Sequence, residues 1–324
     1  MRPGTTRMLL IAILALAGQA ALAQGAKYPN RPIRIIVPFP PGGSVDVHGR
    51  ILAPAVSKSL GQQVVVDNRS GASGIIGTVA AARADPDGYT LLLNTTPLVT
   101  NTLMYSKVPY HPVADFAPIS LLSTAPSFLS VHPSVPVHSV SELIQLARSR
   151  PGELNYGSSG IGTNPHIGGE LFNHLAGTNI VAVQFKGGGP ALIAAISGEV
   201  GVAFSSVAGA TGYVKSGRLR ALGVTSLKPV AALPGVPPIA EAGLPGYEFV
   251  AWFALAAPRD TPREIVATLN DHFRKAMSLP DNVQRLEADG IEVVASTPEQ
   301  LAALLESELK KWAVVIWERN MRAE

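Results

Sequence analysis

Apolar and polar positions alternate along the chain in two recurring patterns, short aliphatic runs and longer stretches with a helical period. Ile33–Val37 predicts a buried strand, and the stretch Val45–Leu60 that follows it predicts a helix. The unit recurs with strand Val64–Val66, helix Ile75–Arg83 and strand Tyr89–Leu93. Strands that alternate with helices in this way are typical of a parallel α/β architecture.

The alternation resumes after a proline-rich stretch, which indicates a second α/β block. Val140, Leu143 and Ile144 share one face of a predicted helix, and Ser139 can cap its N-terminus. Pro54, inside the first helix, predicts a kink or an early end there. The remaining predicted elements are strands Leu154–Gly157, Ile180–Phe185, Val200–Phe204, Leu219–Thr225 and Phe249–Ala256, and helices Pro165–Leu175, Pro190–Ser197, Pro262–Met277, Asp281–Ala288 and Pro298–Trp317.

Two α/β blocks in one chain predict two lobes. The extended stretches Phe128–Val131 and Ala251–Ala256 are the candidates for strands that cross between them. A chain of 324 residues suffices for two domains of ordinary size. Hydrophobic residues at 47% and charged residues at 15% predict well-buried cores and argue against disorder.

The first residues have the layout of a secretory signal peptide. Arg2 and Arg7 precede an apolar run, Met8–Ala17, and a small-x-small cleavage pattern then precedes Gln24. The apolar run is too short to span a bilayer comfortably. We therefore expect residues 1–23 to be removed and the mature protein to be exported.

The composition excludes several kinds of chemistry. The chain has 0 Cys, which excludes disulfides, thiol nucleophiles and zinc–cysteine sites. Without Arg2 and Arg7 the 26 basic residues become 24, against 23 acidic ones, so the mature chain is nearly neutral. No cluster of Lys and Arg is interleaved with aromatic residues, so nucleic acid is not an expected partner.

A glycine-rich loop, Pro38–Gly43, follows the first strand and opens the first helix. The N-terminus of a helix presents N–H groups that have no partner inside the helix, and with the helix dipole they attract anions. Ser44 could cap this helix or offer its hydroxyl to a ligand. Asp46 is expected to hold the loop by accepting backbone N–H bonds. Taken alone, the loop is equally consistent with an ordinary strand-to-helix turn.

A second loop of small residues, Tyr156–Thr163, repeats this layout in the second block. Two such loops in matching positions predict a cleft whose walls direct both helix N-termini at one ligand. Thr95, Thr96, Ser205 and Ser206 also follow predicted strands and supply hydroxyls. The cleft is rich in neutral donors and poor in titratable groups, which is typical of a binding site rather than of acid–base catalysis.

The sequence lacks the Gly-x-Ser-x-Gly, His-Glu-x-x-His and Gly-x-Gly-x-x-Gly motifs of common enzymes. His166, Glu170 and His174 share one face of a predicted helix. Two helical turns separate the histidines by about 12 Å along the axis, which is too far to share one metal ion. We expect no catalytic residues, no metal site and no cofactor.

The three tryptophans are candidates for side chains that pack in the core. Trp312 and Trp317 belong to the last helix and are expected to pack it on the first lobe. Trp252 lies near a proposed crossing strand, where its position fits the core and the cleft equally well. Lys186 opens a further glycine-rich loop that lacks the Gly-Lys-Ser/Thr ending of a phosphate loop.

Several motifs, taken in order, resemble the Bug-type substrate-binding receptors of tripartite tricarboxylate transporters. The matching stretches are Tyr28–Ile33, the loop Pro38–Gly43 with Asp46, Gln63–Arg69 with Gly71 and Ala72, Tyr110–Phe116, Pro151–Thr163 with His166 and Glu170, Lys186–Leu192, and Ala240–Tyr247 with Trp252. Together they cover nearly the whole mature chain, which makes the resemblance far more specific than any one motif.

The resemblance implies an α/β fold of the type II periplasmic binding protein class, in which two lobes with parallel-type sheets are joined by crossing strands and close like a hinge. It places 24–127 and 253–324 in the first lobe and 128–252 in the second. The residues implied to hold a ligand carboxylate, partly through ordered water, are Phe39, Gly42, Gly43 and Ser44 of the first loop, and Ser158, Ser159, Thr163 and His166 of the second. Asp46 belongs to the predicted site as the residue that holds the first loop. Thr95, Thr96, Ser205 and Ser206 would then contact the rest of the ligand.

The function implied by the resemblance is that of a periplasmic receptor, not an enzyme, that passes a di- or tricarboxylate or an aromatic carboxylate to a membrane permease. We expect a monomer, because the surface of a hinge-closing receptor must stay free. A sensor that reports the same ligand to a signalling partner and a metal-assisted periplasmic enzyme are the alternatives. Many relatives carry Asp at the position of Ser205, and an Asn-Leu-Pro-like run where this chain has Ser206–Ala208. The loss of that carboxylate favours a ligand without an amine.

Overall fold

The structure is a computed structural model that describes residues 28–288, 290–318 and 321. The expected signal peptide, residues 1–23, and its cleavage position before Gln24 lie outside the described residues. In the part of the chain that the structure describes, no helix has the length and apolar character needed to cross a membrane.

Strands and helices alternate in the predicted order. Strands β1 to β10 are Ile33–Val37, Val64–Asn68, Thr90–Asn94, Phe116–Val131, Asn155–Ser158, Val181–Gln184, Val202–Ser206, Arg220–Val224, Val250–Pro258 and Glu292–Val293. Helices α1 to α10 are Ser44–Leu60, Ile75–Ala82, Pro97–Met104, Val140–Ser149, Asn164–Ala176, Gly188–Ser197, Val207–Lys215, Arg263–Met277, Pro280–Ala288 and Pro298–Glu318. A 3-10 turn, Ala72–Gly74, precedes α2.

Strand β4 belongs to two sheets. In the first, β1 lies parallel to β2 and β3, and β9 lies antiparallel between β3 and β4. In the second, β5 lies parallel to β6 and β7, and β4 pairs antiparallel with β7 and β8. The partner of β4 changes from β9 to β7 between Pro126 and Ser127. The molecule therefore has two α/β lobes, each built on one sheet, and β4 crosses from one to the other.

The crossing strand is much longer than the predicted Phe128–Val131. Pro118 and Pro126 argue against a central strand in the sequence, because proline cannot donate a hydrogen bond to a neighbouring strand. The structure accommodates them with irregularities: the register with β9 shifts after Pro118, and Pro126 falls where β4 exchanges one partner for the other. Tertiary pairing on both sides stabilises a strand that local preference disfavours.

One helix prediction is wrong, and two further helices are present that the sequence did not predict. Helix α1 continues through Pro54 to Leu60, so the expected early end is wrong. Pro54 and Arg50 are both exposed, so the proline lies on the solvent side of the helix, where its cost is lower. Helices α3 and α7 were not predicted. Helix α7 contains Gly209 and Gly212, and glycine disfavours a helix, so the sequence did not predict one there.

The C-terminal helix α10 packs through Trp312 but not through Trp317. Trp312 is buried, whereas Trp317 is 78% exposed, so its expected packing role is wrong. The two side chains are five residues apart and point about 140° from each other around the helix, so they cannot share one face. Trp252 is a core residue: its Nε1 donates to Glu308 Oε2 at 2.8 Å, and Trp312 Nε1 donates to the same oxygen at 2.7 Å.

Candidate ligand-binding site

The predicted site residues lie at the carboxyl ends of strands. In each sheet, these strand ends lie at one edge. In the first lobe, β1 and β3 are parallel neighbours and lead into the loop Pro38–Gly43 and into Thr95 and Thr96. In the second, β5 and β7 are parallel neighbours and lead into the loop Ser159–Thr163 and into helix α7. Ligands of α/β proteins bind beyond such strand ends.

The first-lobe loop is fixed by the buried carboxylate of Asp46. Its Oδ2 accepts from Gly42 N at 2.9 Å, as the sequence predicted, and its Oδ1 accepts from Asn68 Nδ2 at 2.9 Å. Arg50 Nε donates to both oxygens, at 3.0 and 2.9 Å. Asn68 Nδ2 also donates to Phe39 O at 3.1 Å. Asp46 is therefore fully engaged inside the protein and supports the loop from behind.

Charge and burial set the protonation of the two titratable groups behind this loop. Burial disfavours the charged form of Asp46, but hydrogen bonds from Arg50, Gly42 and Asn68 outweigh it and hold the Asp46 pKa below its usual value. Burial lowers the pKa of His48 to about 4, so this ring is neutral at pH 7.

The neutral His48 ring joins the start of α1 to the crossing strands. Nδ1–H donates to Ser44 O at 2.7 Å, and Nε2 accepts from Ser123 Oγ at 2.8 Å. The ring stacks on Phe253 with 3.9 Å between centroids. Because Ser123 lies on β4 and Phe253 on β9, the first turn of α1 is anchored to both strands.

The second-lobe loop is held by neutral hydroxyls. Ser158 Oγ donates to Gly160 O at 3.0 Å, Ser159 Oγ to Thr163 Oγ1 at 3.0 Å, and Thr163 Oγ1 to Gly160 O at 2.6 Å. Gly160 and Gly162 have φ angles of +129° and +76°, which L side chains rarely adopt. These three predicted hydroxyls thus shape the loop, whatever else they contact.

His166 lies in the first turn of α5 and is 9% exposed. Its Nδ1 accepts from Gly162 N at 3.3 Å, which leaves the ring proton on Nε2. Burial lowers the His166 pKa, and the nearby Glu170 only partly offsets this effect. His166 is therefore a neutral group that closes the second loop onto its own helix.

Neither helix that starts at the two loops has a side-chain cap. The N-cap residues are Gly43 for α1, so Ser44 does not cap it, and Thr163 for α5. By contrast, Ser139 caps α4 by accepting from Glu142 N. No Lys or Arg occurs in either loop. The polar groups that these loops offer to a ligand are therefore N–H donors and hydroxyls.

The turn Ala72–Gly74 brings the two loops together. A Cβ built on Gly74 would lie 3.3 Å from the ring of Phe39, and one built on Gly160 would lie 3.5 Å from Ser73 Oγ. Asn164 Nδ2 donates to Thr95 Oγ1 at 3.5 Å from the opposite lobe. These contacts bring the first loop, the second loop and Thr95 close together.

The hydroxyl residues at the ends of β3 and β7 differ in exposure. Thr95 and Thr96 are buried, and Thr96 Oγ1 has no hydrogen-bond partner in the part of the chain that the structure describes. Ser206 is exposed and caps α7, because its Oγ accepts from Gly209 N at 3.4 Å. Ser205 is half-buried and pairs with Phe128 of β4.

Sequence reasoning missed Asn101 and Asn164 at this cleft. Among the described residues, the buried Oδ1 of each has no hydrogen-bond partner. Asn164 stands next to the predicted Thr163, but an asparagine at the start of a helix gives no local signal beyond its capping preference. Asn101 lies in α3, a helix that was not predicted.

The other singled-out polar residues lie apart from the two loops. His174 Nε2 is 3.1 Å from Glu318 Oε2, and Lys186 is exposed. Among residues 28–288, 290–318 and 321, no group of three His, Cys, Asp or Glu side chains could hold a metal ion.

Two α/β lobes, a crossing strand and a cleft lined by strand ends define the class of type II periplasmic solute-binding proteins. The family model described as tripartite tricarboxylate transporter family receptor, TctC, matches residues 49–321. The chain belongs to this family, as its motifs predicted.

Curated relatives match over nearly the full length. A protein from the tcbD-tcbE intergenic region of a Pseudomonas species is 41% identical over 99% of this chain and 96% of its own length. Protein BugT of Bordetella pertussis is 38% identical over 98% of both chains.

Solved structures show the same fold. Rpa4515 of R. palustris with adipate has a TM-score of 0.85 and 37% identity, covering 90% of this chain and 98% of that one. MatC from Rhodopseudomonas palustris with bound malate has a TM-score of 0.83 and 32% identity, covering 89% and 100%.

Proposed function

We propose that this chain is a periplasmic receptor that captures a small carboxylate between its lobes and delivers it to the permease of a tripartite tricarboxylate transporter. It acts by binding and hinge closure, without catalysis, and as a monomer. The observation that carries this proposal is the pair of helix N-termini, at Gly43 and Thr163, that have no side-chain cap and border one cleft. Relatives of the same fold hold adipate and malate.

Backbone N–H groups and neutral hydroxyls suit a carboxylate. A carboxylate accepts several hydrogen bonds, and N–H groups at a helix start supply donors together with the positive end of the dipole. Phe39, Gly42, Gly43 and Ser44 are the proposed contacts in the first lobe. Ser158, Ser159, Thr163 and His166 are those in the second. Asp46 has a supporting role, since its oxygens already accept four hydrogen bonds.

The remainder of the ligand would contact Thr95, Thr96, Ser205 and Ser206. Within residues 28–288, 290–318 and 321, the buried Thr96 Oγ1 and Asn164 Oδ1 have no hydrogen-bond partner, whereas buried polar groups normally have one. With Ser at position 205 the cleft has no carboxylate there for an amine. We therefore propose a dicarboxylate, tricarboxylate or aromatic carboxylate that lacks an ammonium group.

Hinge closure requires two lobes that move about the crossing strands. We propose 24–127 and 253–324 as the first lobe and 128–252 as the second. The partner change of β4 between Pro126 and Ser127 supports a hinge near the first of these boundaries.

A thermal-shift screen of the mature protein, unfolded and refolded to remove bound ligand, tests this function. The panel holds mono-, di- and tricarboxylates, aromatic carboxylates and amino acids. A ligand at about 100 times its Kd adds about 2.7 kcal/mol of stability. We expect a clear shift with at least one carboxylate and none with its amide counterpart. A folded protein that responds to no carboxylate would contradict the proposal.

A further inference from the structure

The second-lobe loop Gly160–Asn164 contacts the first lobe directly, around Thr100 of α3. We propose that this contact, here called the latch, stabilises the closed form by itself and so sets the strength with which every ligand is held. The inference rests on the proposed function for its binding measurement. Its residues are Ser73, Thr100, Asn101 and Met104 in the first lobe, and Gly160 and Gly162 in the second.

The centre of the latch is a buried hydrogen bond across the cleft. Thr100 Oγ1 donates to Gly162 O at 2.9 Å, and both residues are buried. The two residues are 62 positions apart in sequence. The same hydroxyl lies 3.3 Å from Thr96 O, a weaker bond within its own helix. Loss of the Thr100 hydroxyl would leave the Gly162 carbonyl without this donor in a buried place.

Gly162 fits the first lobe so closely that no side chain has room. A Cβ at this position would lie 2.9 Å from Asn101 Oδ1 and 3.4 Å from Met104 Sδ. The buried Asn101 Oδ1 faces the glycine backbone and has no hydrogen-bond partner among the residues that the structure describes. This contact is therefore complementary in shape, with the loop backbone seated against α3.

The turn beside α3 completes the first-lobe surface. Ala72 and Ser73 have φ angles of +46° and +52°, a conformation that residues other than glycine rarely adopt. Asn101 Nδ2 donates to Ser73 O at 3.0 Å, and the hydroxyls of Ser73 and Tyr105 are 3.1 Å apart. Backbone strain that the surrounding structure maintains clusters at ligand clamps and switch regions. This turn faces Gly160 of the other lobe.

All of these contacts join protein to protein. A ligand that favours the closed form gains from the latch whatever its own chemistry, because the latch changes only the ratio of closed to open molecules. A change in the latch should therefore alter the Kd of different ligands by one common factor. A residue that contacts ligand would instead change the preference among ligands.

The test compares three variants of α3. Thr100→Val removes the hydroxyl with little change of shape, and Thr100→Ser keeps it. Thr102→Val is the matched control, because Thr102 Oγ1 donates only to Val99 O within the helix, at 2.7 Å. Kd and dissociation rate are measured by titration and stopped flow for two chemically different carboxylates found in the thermal-shift screen.

For Thr100→Val we expect the Kd of both ligands to rise about fivefold, mainly through faster dissociation, which corresponds to the ~1 kcal/mol of one hydrogen bond. Thr100→Ser should bind within about twofold of the unmodified protein. Thr102→Val should bind like the unmodified protein. Equal Kd values for Thr100→Val and Thr102→Val, or factors that differ between the two ligands, would overturn the proposal.

A second readout needs no ligand, so the latch can fail independently of the proposed function. The chain has 0 Cys, which allows a fluorophore pair at Lys58→Cys and Lys186→Cys, both exposed and one in each proposed lobe. Single-molecule energy transfer then gives the closed-to-open ratio. We expect a measurable closed population that Thr100→Val lowers about fivefold and Thr102→Val leaves unchanged. No closed population, or equal ratios in the two variants, would overturn the latch even if every carboxylate failed to bind.

Discussion

The two loops at the cleft share a layout and differ in what holds them. Each follows a parallel strand and opens a helix whose N-terminus lacks a side-chain cap. Pro40–Ser44 of the first loop is exposed, and the buried charge of Asp46 holds it from behind. The second, Ser158–Thr163, is largely buried and is held by its own neutral hydroxyls.

This difference shows that two loops with a similar strand-to-helix layout can have different physical supports. The first loop depends on an ionised carboxylate and a neutral histidine, so pH should act on it through Asp46 and His48. The second depends on glycine conformation and on close packing against the other lobe. A larger side chain in this loop should therefore destabilise it. The following experiments separate these two dependences.

The largest expected effect comes from a carboxylate placed at the start of α1. Gly43→Asp should raise the Kd for a carboxylate ligand about 1,000-fold, or ~4 kcal/mol, because the new charge repels the ligand and accepts the N–H groups the ligand would use. The fold should persist, since Gly43 has an ordinary φ of −75° and Asp is a favoured N-cap residue. Titration calorimetry measures the change.

Gly43→Asn is its control, because it caps the helix without the charge and should lose much less affinity. A folded Gly43→Asp protein that binds a carboxylate normally would remove the first loop from the site.

The next effect concerns pH and His48. The folded pKa of about 4 lies below the unfolded value of about 6.5, so protonation favours the unfolded chain and stability falls as pH drops from 6.5 towards 4. The lost contribution reaches about 3 kcal/mol at pH 4. Urea unfolding of the unmodified protein and of His48→Gln, measured from pH 7 to pH 4, should show their difference shrink by that amount. A constant difference would mean that the His48 pKa is the same in the folded and unfolded chain, which would contradict the lowered folded pKa.

A smaller effect tests the packing of the second loop. Gly162→Ala should reduce the free energy of unfolding or of ligand binding by about 2 kcal/mol. The φ angle of Gly162 is +76°, and a Cβ there would lie 2.9 Å from Asn101 Oδ1. The matched Gly43→Ala should cost only about 0.5 kcal/mol, the loss of a good N-cap residue. Urea unfolding and ligand titration measure both variants. Equal losses of free energy in the two variants would contradict the proposal that only the second loop depends on close packing.

The smallest effect concerns the charge of Asp46. Asp46→Asn should destabilise the protein by about 1 kcal/mol at pH 7, since its partner Arg50 is half exposed and solvent weakens the pair. The folded pKa is lowered, so this contribution is present above the unfolded pKa of about 3.9 and is lost as pH falls through the folded pKa. Unfolding at pH 7, 5 and 3 should show the difference narrow only at the acid end. The same difference at all three values would contradict a role for the ionised carboxylate.

Local sequence signals predicted most of the helices and strands, and they predicted that Asp46 supports the first loop. An acidic residue in the first turn of a helix, four positions after Gly42, predicted that Asp46 holds the loop. The hydrogen bond from Gly42 N to Asp46 confirms this role. The cap of α4 at Ser139 is also confirmed. In both cases the interacting residues lie within four positions of each other, so the pattern alone contains the contact.

Contacts between distant segments could not be predicted in this way. Thr100 and Gly162 meet only because two lobes approach, and nothing in either local sequence indicates the other. Trp252 fitted both core and cleft until the position of Glu308 on α10 was known. The full length of β4 depends on pairing with β9 and β7 and opposes the local signal of its prolines.

The most direct test of the account is a crystal structure of the mature protein with a carboxylate identified in the thermal-shift screen. We expect one ligand carboxylate to lie within hydrogen-bond distance, directly or through one water, of N–H groups or hydroxyls from both Gly42–Ser44 and Ser158–Thr163. A carboxylate held by one loop alone, or a ligand bound away from these helix ends, would contradict the central claim that both helix N-termini converge on one anion.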